Sequence, residues 1–176
     1  DFQEQNQLFL FTWDYLVERI SVCGGLADYL AEFITQFNYI PYLGEALMAV
    51  LFVVFQRACA LSIGRSEWYA LSFIAPVLML VYMNDIYVML CYLIALIIAV
   101  LLCALYRRHP GLLWAGIATM LGYWLIGPAI FVFTVFAALK ERNWNSLILI
   151  AAAVLTVYGS KWTYLQQYPW KTLAFG

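Results

Sequence analysis

The chain has 176 residues, of which 66% are hydrophobic and 11% are charged. Soluble domains carry about 25% charged residues, so this composition excludes a soluble globule and indicates an integral membrane protein in a lipid bilayer. The formal net charge is −1 and Lys and Arg form no extended tract, which excludes nucleic acid as a partner because phosphate binding depends on clustered cations.

Residues 1–41, the N-terminal segment, differ in charge from the rest of the chain. Seven of the ten Asp and Glu residues lie within the first 45 positions, whereas eight of the nine Lys and Arg residues lie after them. We expect two short helices here, roughly Gln7 to Ile20 and Leu26 to Asn38, because Gly24-Gly25 interrupts the helical pattern. The second helix has an apolar stripe formed by Leu26, Tyr29, Leu30, Phe33, Ile34 and Phe37. Such a stripe predicts an amphipathic helix that lies on the membrane surface.

A pentapeptide recurs within this segment, as DYLVE at 14–18 and DYLAE at 28–32. Each copy places an acidic pair at positions i and i+4, Asp14 with Glu18 and Asp28 with Glu32. Like charges at that spacing destabilise an isolated helix by about 0.2–0.5 kcal/mol, which invites a functional explanation. The pairs are candidates for binding a divalent cation or for supplying a carboxylate base at the membrane surface. The structural alternative is that acidic residues near a helix N-terminus interact favourably with the helix dipole.

Glu45 is a further acidic candidate, because it is an ionisable residue within the first apolar run. Such residues are costly in hydrocarbon and often functional. Glu45 is also only four residues after Pro41, so the alternative is a surface carboxylate stabilised by the helix dipole. The four cysteines show neither disulfide nor zinc spacing.

Residues 42–176 contain five apolar runs and predict an all-α, polytopic transmembrane bundle, since about 20 residues cross the hydrocarbon core. The runs are approximately 42–61, 68–83, 86–106, 112–139 and 144–159. The fourth contains Gly127-Pro128 and is either one long helix or a hairpin. We favour one long, tilted helix kinked at Pro128, because each arm of a hairpin would have only about 13 residues.

Basic residues orient the predicted bundle. Arg57 and Arg65 flank the first loop between spans, and Arg107-Arg108 follow the third span. Lys and Arg are retained on the cytoplasmic side, so we expect the N-terminal segment outside, at the periplasmic face of a bacterial inner membrane. An external start requires an earlier helix, and we therefore expect the sequence to be part of a longer protein.

Three stretches resemble a bacterial family of multi-pass inner-membrane proteins catalogued as a domain of unknown function. They are Gln3–Leu10, Gly24–Tyr29 and Phe37–Pro41. This resemblance implies a longer chain with more helices and brings no activity with it.

The N-terminal segment is also similar in layout to the external loop of multi-spanning glycosyltransferases that use lipid-phosphate sugar donors. In that group a loop of surface-lying helices carries an essential acidic residue. The resemblance implies Asp14 or Asp28 as the catalytic carboxylate and a lipid-linked sugar as the ligand. Glu18, Glu32 and Glu45 would then be supporting acidic residues.

Three functions follow as hypotheses. One is the N-terminal membrane region of an envelope glycosyltransferase-like enzyme, and the alternative is a non-catalytic membrane scaffold or subunit that docks a periplasmic protein. The third is a transporter, in which Gly127-Pro128 marks a broken helix. Carboxylates of both pentapeptides facing one cavity would favour the enzyme, whereas carboxylates pointing separately into water would count against it.

Overall fold

The computed structural model describes residues 12–40, 42–64, 66–83, 90–140 and 149–159. Within these ranges every regular element is a helix, which confirms the predicted all-α class. The α-helices are α1 (Trp13–Ile20), α2 (Gly25–Thr35), α3 (Leu43–Ile63), α4 (Ile74–Tyr82), α5 (Leu90–Arg108), α6 (Leu112–Ile126), α7 (Ile130–Lys140) and α8 (Leu149–Gly159). Short 3-10 segments follow α2, precede α4 and join α6 to α7, at Gln36–Tyr39, Ser66–Phe73 and Gly127–Ala129.

By length and composition alone, three helical segments could cross a membrane, namely Leu43–Ile63, Leu90–Arg108 and Leu112–Lys140, the last of which contains both α6 and α7. They correspond to the first, third and fourth predicted runs. The second and fifth runs form shorter apolar helices, Trp68–Tyr82 and Leu149–Gly159. The structure is therefore consistent with a membrane protein, while the count of about five spans stays a prediction.

The two helices expected in the N-terminal segment are α1 and α2, and they meet at the glycine pair. Gly24 has a φ of +85°, a left-handed conformation that glycine adopts without strain. Gly25 begins α2 so close to α1 that a Cβ atom there would overlap the carbonyl oxygen of Arg19. The predicted break at Gly24-Gly25 is confirmed, and the predicted start of the first helix, at Gln7, lies outside the described residues.

Helix α2 packs against α5 and α6 through small residues. Gly25, Ala27 and Ala31 are its buried positions, and Ala27 shares a core cluster with residues of α5, α6 and α7. The larger residues of the predicted apolar stripe are only half-buried. Small side chains allow two helices to approach closely. For this reason the most deeply buried face of α2 is the one with glycine and alanine, and not the predicted stripe of large apolar residues.

Helices α6 and α7 form an antiparallel hairpin. The hydroxyl oxygens of Thr119 and Thr134 are 3.3 Å apart, although 15 residues of continuous helix would separate them by about 22 Å. The chain reverses at Gly127, whose φ of +68° and ψ of −149° belong to a region that is essentially restricted to glycine. Our prediction of one long helix kinked at Pro128 over 112–139 is therefore wrong, because the backbone of Gly127 turns the chain through a full reversal.

The bundle has two ends of opposite charge. The acidic end carries the N-terminal helices and the first turn of α3, with Asp14, Glu18, Asp28, Glu32 and Glu45. The basic end carries Arg107, Arg108 and Lys140. The Lys140 ammonium donates to the Arg107 carbonyl oxygen at 3.4 Å, because the hairpin returns α7 to the end of α5. Helix α5, about 28 Å long at 1.5 Å per residue, separates the two ends.

The hairpin can be tested by disulfide formation in a chain whose four native cysteines are replaced by Ser. We expect a Thr119→Cys/Thr134→Cys variant to form an intramolecular disulfide on oxidation, because the two hydroxyl oxygens are already in contact and bridged Cα atoms lie about 4.4–6.8 Å apart. The measurement is a mobility shift on non-reducing electrophoresis, lost on reduction.

A Met120→Cys/Val135→Cys variant is the matched control, since its two sites have the same sequence separation. Met120 and Val135 are 57% and 58% exposed on the bundle surface, so we expect little intramolecular crosslinking there. Equal crosslinking of the two pairs, or none in either, would contradict the hairpin packing.

Candidate functional site

The turn between α1 and α2 docks onto the tip of the α6–α7 hairpin through three hydrogen bonds. The backbone N–H of Gly24 donates to the Trp124 carbonyl oxygen at 2.8 Å, and the Cys23 thiol donates to the Tyr123 carbonyl oxygen at 3.0 Å. In return, the Trp124 indole N–H donates to the Ile20 carbonyl oxygen at 2.9 Å. Helix ends leave carbonyl groups without intrahelical partners. Here the turn after α1 supplies donors to Trp124 and to Tyr123, whose oxygen also accepts the Gly127 N–H, and Trp124 supplies a donor to the end of α1.

The Cys23 thiol is part of this contact and is held as a thiol. Burial raises its pKa above the ordinary value. Only the thiolate is a strong nucleophile or metal ligand. Its hydrogen bond to Tyr123 and its raised pKa agree with an unreactive, structural cysteine.

A cluster of three side chains, which we call the Arg19 cluster, joins α1 to α2. It consists of Tyr15, Arg19 and Glu32. Arg19 Nη2 lies 2.6 Å from Glu32 Oε1, and the Tyr15 hydroxyl donates to Glu32 Oε2 at 2.5 Å. Arg19 Nε and Nη2 also donate to the Tyr15 hydroxyl oxygen at 3.2 and 3.1 Å. Both oxygens of Glu32 are thus engaged, and the glycine turn is closed by a charged clamp.

The Arg19 cluster shifts two protonation equilibria. Burial and the hydrogen bond to Glu32 raise the pKa of Tyr15 above its ordinary value, despite the opposing effect of Arg19. Burial alone would lower the pKa of Arg19, but the hydrogen bond to Tyr15 and the charge of Glu32 outweigh it and raise that pKa. At neutral pH the cluster therefore holds a neutral phenol and a guanidinium.

The predicted acidic residues do not converge on one cavity. Asp14 and Glu18 are exposed on α1, whereas Asp28 and Glu32 are half-buried on α2. Glu45 is exposed in the first turn of α3, a position at which a carboxylate interacts favourably with the helix dipole. Within the part of the chain that the structure describes, no group of three or more His, Cys, Asp and Glu residues could hold a metal ion. The described geometry therefore gives no support to the divalent-cation hypothesis.

Of the two Asp residues predicted as catalytic, Asp28 is the more buried. Its carboxylate lies close enough to Cys91, in the first turn of α5, for the two side chains to interact electrostatically. It is also close enough to Arg19 for its charge to help raise the pKa of that residue. Asp28 therefore lies at the junction of α1, α2 and α5, while Asp14 faces away from it.

Sequence reasoning singled out the acids and overlooked Arg19, the cation that pairs with one of them. Arg19 is the single Lys or Arg in the first 56 residues. A single cation among seven acidic residues could have indicated an ion pair within the N-terminal segment. It could not identify the partner, because Glu32 is 13 positions away and becomes a neighbour only when the chain reverses at Gly24.

Comparison with known proteins gives a family and no further relative. The sequence matches a family of unknown function, DUF6057, over residues 1–175. No curated protein and no solved structure matches the chain.

The Arg19 cluster predicts a measurable coupling between Arg19 and Glu32. We expect Arg19→Met and Glu32→Gln each to destabilise the protein, and the double variant to lose about 1 kcal/mol less than the sum of the single losses. A larger coupling is not expected, because 30% of the Arg19 side chain is exposed and solvent screens the pair. The measurement is thermal unfolding in detergent. Glu18→Gln is the control, because Glu18 is exposed on α1 and lies outside the Arg19 cluster. We expect it to change the free energy of unfolding by less than about 0.5 kcal/mol.

The raised pKa of Tyr15 predicts a loss of stability in alkali. A group whose pKa is higher in the folded state stabilises that state fully below the unfolded pKa, and its contribution disappears as pH rises through the folded value. The ordinary pKa of Tyr15 is 10.0, so we expect unfolding temperature to fall above that pH and to fall less steeply in Tyr15→Phe. Parallel melts of the two proteins between about pH 8 and pH 11 check this. Identical pH profiles would contradict it.

Proposed function

Because the chain belongs to the DUF6057 family, whose function is unknown, we propose a role for it from the geometry of its acidic end. We propose that it is a non-catalytic scaffold of the bacterial inner membrane and that α1 is its docking surface for a periplasmic protein. The supporting observation is the division of α1 into a clamped face and an exposed face.

The exposed face of α1 combines two acidic and two apolar residues. Trp13 and Val17 are 77% and 53% exposed, and Asp14 and Glu18 are exposed beside them. The i, i+4 spacing of each pair places all four side chains on one continuous side of the helix. Trp is enriched where interfaces gain most of their binding energy, and the carboxylates would steer a positively charged partner.

The opposite face of α1 supports this role because it fixes the helix in place. Tyr15 and Arg19 bind Glu32 of α2, and the Ile20 carbonyl oxygen accepts the Trp124 indole N–H of the bundle. A surface that is already ordered loses little conformational entropy on binding. The acidic face is thus presented on a rigid support.

The two charged ends support an orientation with the N-terminal segment outside. Arg107, Arg108 and Lys140 share one end, and Lys and Arg are retained on the cytoplasmic side. The hairpin brings Lys140 back to the end that carries Arg107, whereas a single crossing over 112–139 would have carried it to the opposite side. We propose five membrane-embedded units, with α6–α7 entering from the cytoplasmic side and returning to it.

A glycosyltransferase-like enzyme acting on a lipid-linked sugar is the second candidate, and one observation favours it. Asp28 is half-buried between helices, beside the Cys91 thiol, where a carboxylate is partly shielded from water. On this hypothesis Asp28 is the catalytic base, and Asp14, which is exposed on α1, contributes at most to binding. We do not propose transport, because the break at Gly127 is capped by Gly24 and Cys23.

Cross-linking in native membranes, followed by purification of the full-length protein and quantitative mass spectrometry, distinguishes these candidates. The docking variant is Asp14→Asn/Glu18→Gln, and Asp28→Asn is the matched control. We expect one or more periplasmic proteins to co-purify with the wild type, to decrease at least about tenfold with the docking variant, and to remain with Asp28→Asn. Binding should also weaken as ionic strength rises.

The opposite pattern would support the enzyme. A protein that isolates alone after cross-linking contradicts the scaffold, and so does a partner that the docking variant retains in full. Loss of an envelope glycan in Asp28→Asn, with the docking variant unaffected, would establish the catalytic alternative. Protein abundance in the membrane is measured for each variant, so that misfolding is not read as loss of function.

A further inference from the structure

A groove runs between α3 and α5 at the basic end of the bundle, opposite to the acidic face of α1. Its volume is about 460 Å³. The lining residues are Ala60, Leu61, Gly64, Leu101, Ala104, Leu105, Arg107 and Arg108. The groove is therefore apolar along its length and carries two cations at one end.

The apolar part of the groove faces the surroundings of the bundle. Leu61, Leu101 and Leu105 are 55%, 42% and 44% exposed. They belong to α3 and α5, two of the segments that are long and apolar enough to cross a membrane. Exposed leucines on such segments lie in the hydrocarbon region, where an acyl chain is the molecule that contacts them.

The charged part of the groove is built rigidly. Arg107 donates to the carbonyl oxygens of Leu61, Ser62 and Gly64 at 3.5, 3.4 and 3.2 Å, and so closes the end of α3. Gly64 has a φ of +60°, and a Cβ atom there would overlap the Arg107 guanidinium. The glycine thus lets the guanidinium approach the α3 backbone, which fixes a positive charge at the mouth of the groove.

Arg108 supplies a second, exposed positive charge at the same mouth. Neither Arg107 nor Arg108 forms a salt bridge with a carboxylate among the described residues, where the Arg19–Glu32 pair lies at the other end of the bundle. Two guanidinium groups beside an apolar groove at a helix end are complementary to a phosphate group attached to acyl chains. Basic pockets between transmembrane helices bind anionic lipid head groups in this way.

We propose that this groove is a binding site for an anionic phospholipid. The phosphate lies against Arg108 and the remaining N–H groups of Arg107, and an acyl chain lies over Ala60 and Ala104 between the leucines. The occupant lies in the leaflet that faces the basic end, and it bridges α3 to α5 independently of anything bound at α1.

Native mass spectrometry of the full chain in detergent tests the proposal. The probes are phosphatidylglycerol and phosphatidylcholine with identical acyl chains, and inorganic phosphate as competitor. We expect the wild type to bind phosphatidylglycerol at least about fivefold more tightly than phosphatidylcholine, a preference of the size that one to two well-placed cations provide. Equal binding of the two lipids overturns the proposal without recourse to any variant.

The variants separate the groove from general surface charge. Arg108→Gln should abolish most of the preference for phosphatidylglycerol, and its exposed side chain makes misfolding unexpected. Arg57→Gln removes the same charge from an exposed position of α3 that does not line the groove, and it should leave the preference unchanged. An equal loss in both variants overturns the proposal, because any surface cation would then suffice.

A third variant tests the apolar half of the site with all charges kept. Ala104→Leu fills the groove, and we expect it to weaken both lipids by about fivefold or more, since added side-chain volume takes the place of the acyl chain. Unchanged binding in Ala104→Leu overturns the placement of the chain in the groove. Displacement of the lipid by an equal concentration of inorganic phosphate overturns it as well, because the acyl chain would then add nothing.

Discussion

The arrangement of this protein depends on the contact between two glycine turns, one at Gly24 and the other at Gly127. A helical hairpin whose tip ends inside a bundle exposes backbone carbonyl groups, and these are costly wherever water cannot reach them. The Cys23–Gly24 turn donates to two of these carbonyl groups, while Trp124 donates in the opposite direction. The N-terminal helices are therefore a structural part of the bundle, and their orientation at the acidic end follows from this one contact.

The sequence revealed the helices of this fold and much less of how they meet. The apolar runs predicted helices where α3 and α5 lie, although the predicted start of the third run, at residue 86, is outside the described residues. The break at Gly24-Gly25 was predicted because adjacent glycines disfavour helix. The hairpin of α6 and α7 was considered and not favoured, because its arms are short and the bonds that hold its tip come from residues 100 positions away. The buried face of α2 was missed for a related reason, since Ala27 and Ala31 are selected by close packing, which a hydrophobicity pattern does not report.

The candidate site could be predicted only as a set of residues. The repeated pentapeptide drew attention to four acids, and the structure separates them by environment. In the first copy both acids are exposed, whereas in the second copy Glu32 pairs with Arg19 and Asp28 is half-buried near Cys91. The same residue types in the two copies thus have different electrostatic surroundings, because α2 packs between α1 and α5 whereas α1 lies at the surface. Among the described residues no cavity is shared by both copies. The acids of the first copy lie on an exposed face of α1, and Glu32 of the second copy belongs to the Arg19 cluster.

The long sequence separation of the Gly24–Gly127 contact has a consequence for biosynthesis. The bonds that hold it join residues 100 and 104 positions apart, so α1 and α2 are synthesised well before their partner exists. Until α6 has been synthesised, α2 lacks its α6 neighbour, whereas Arg19 and Glu32 are only 13 positions apart and can pair as soon as α2 exists. The contacts that close the glycine turn are therefore local in sequence, while those that seat it on the bundle are distant and can form only later.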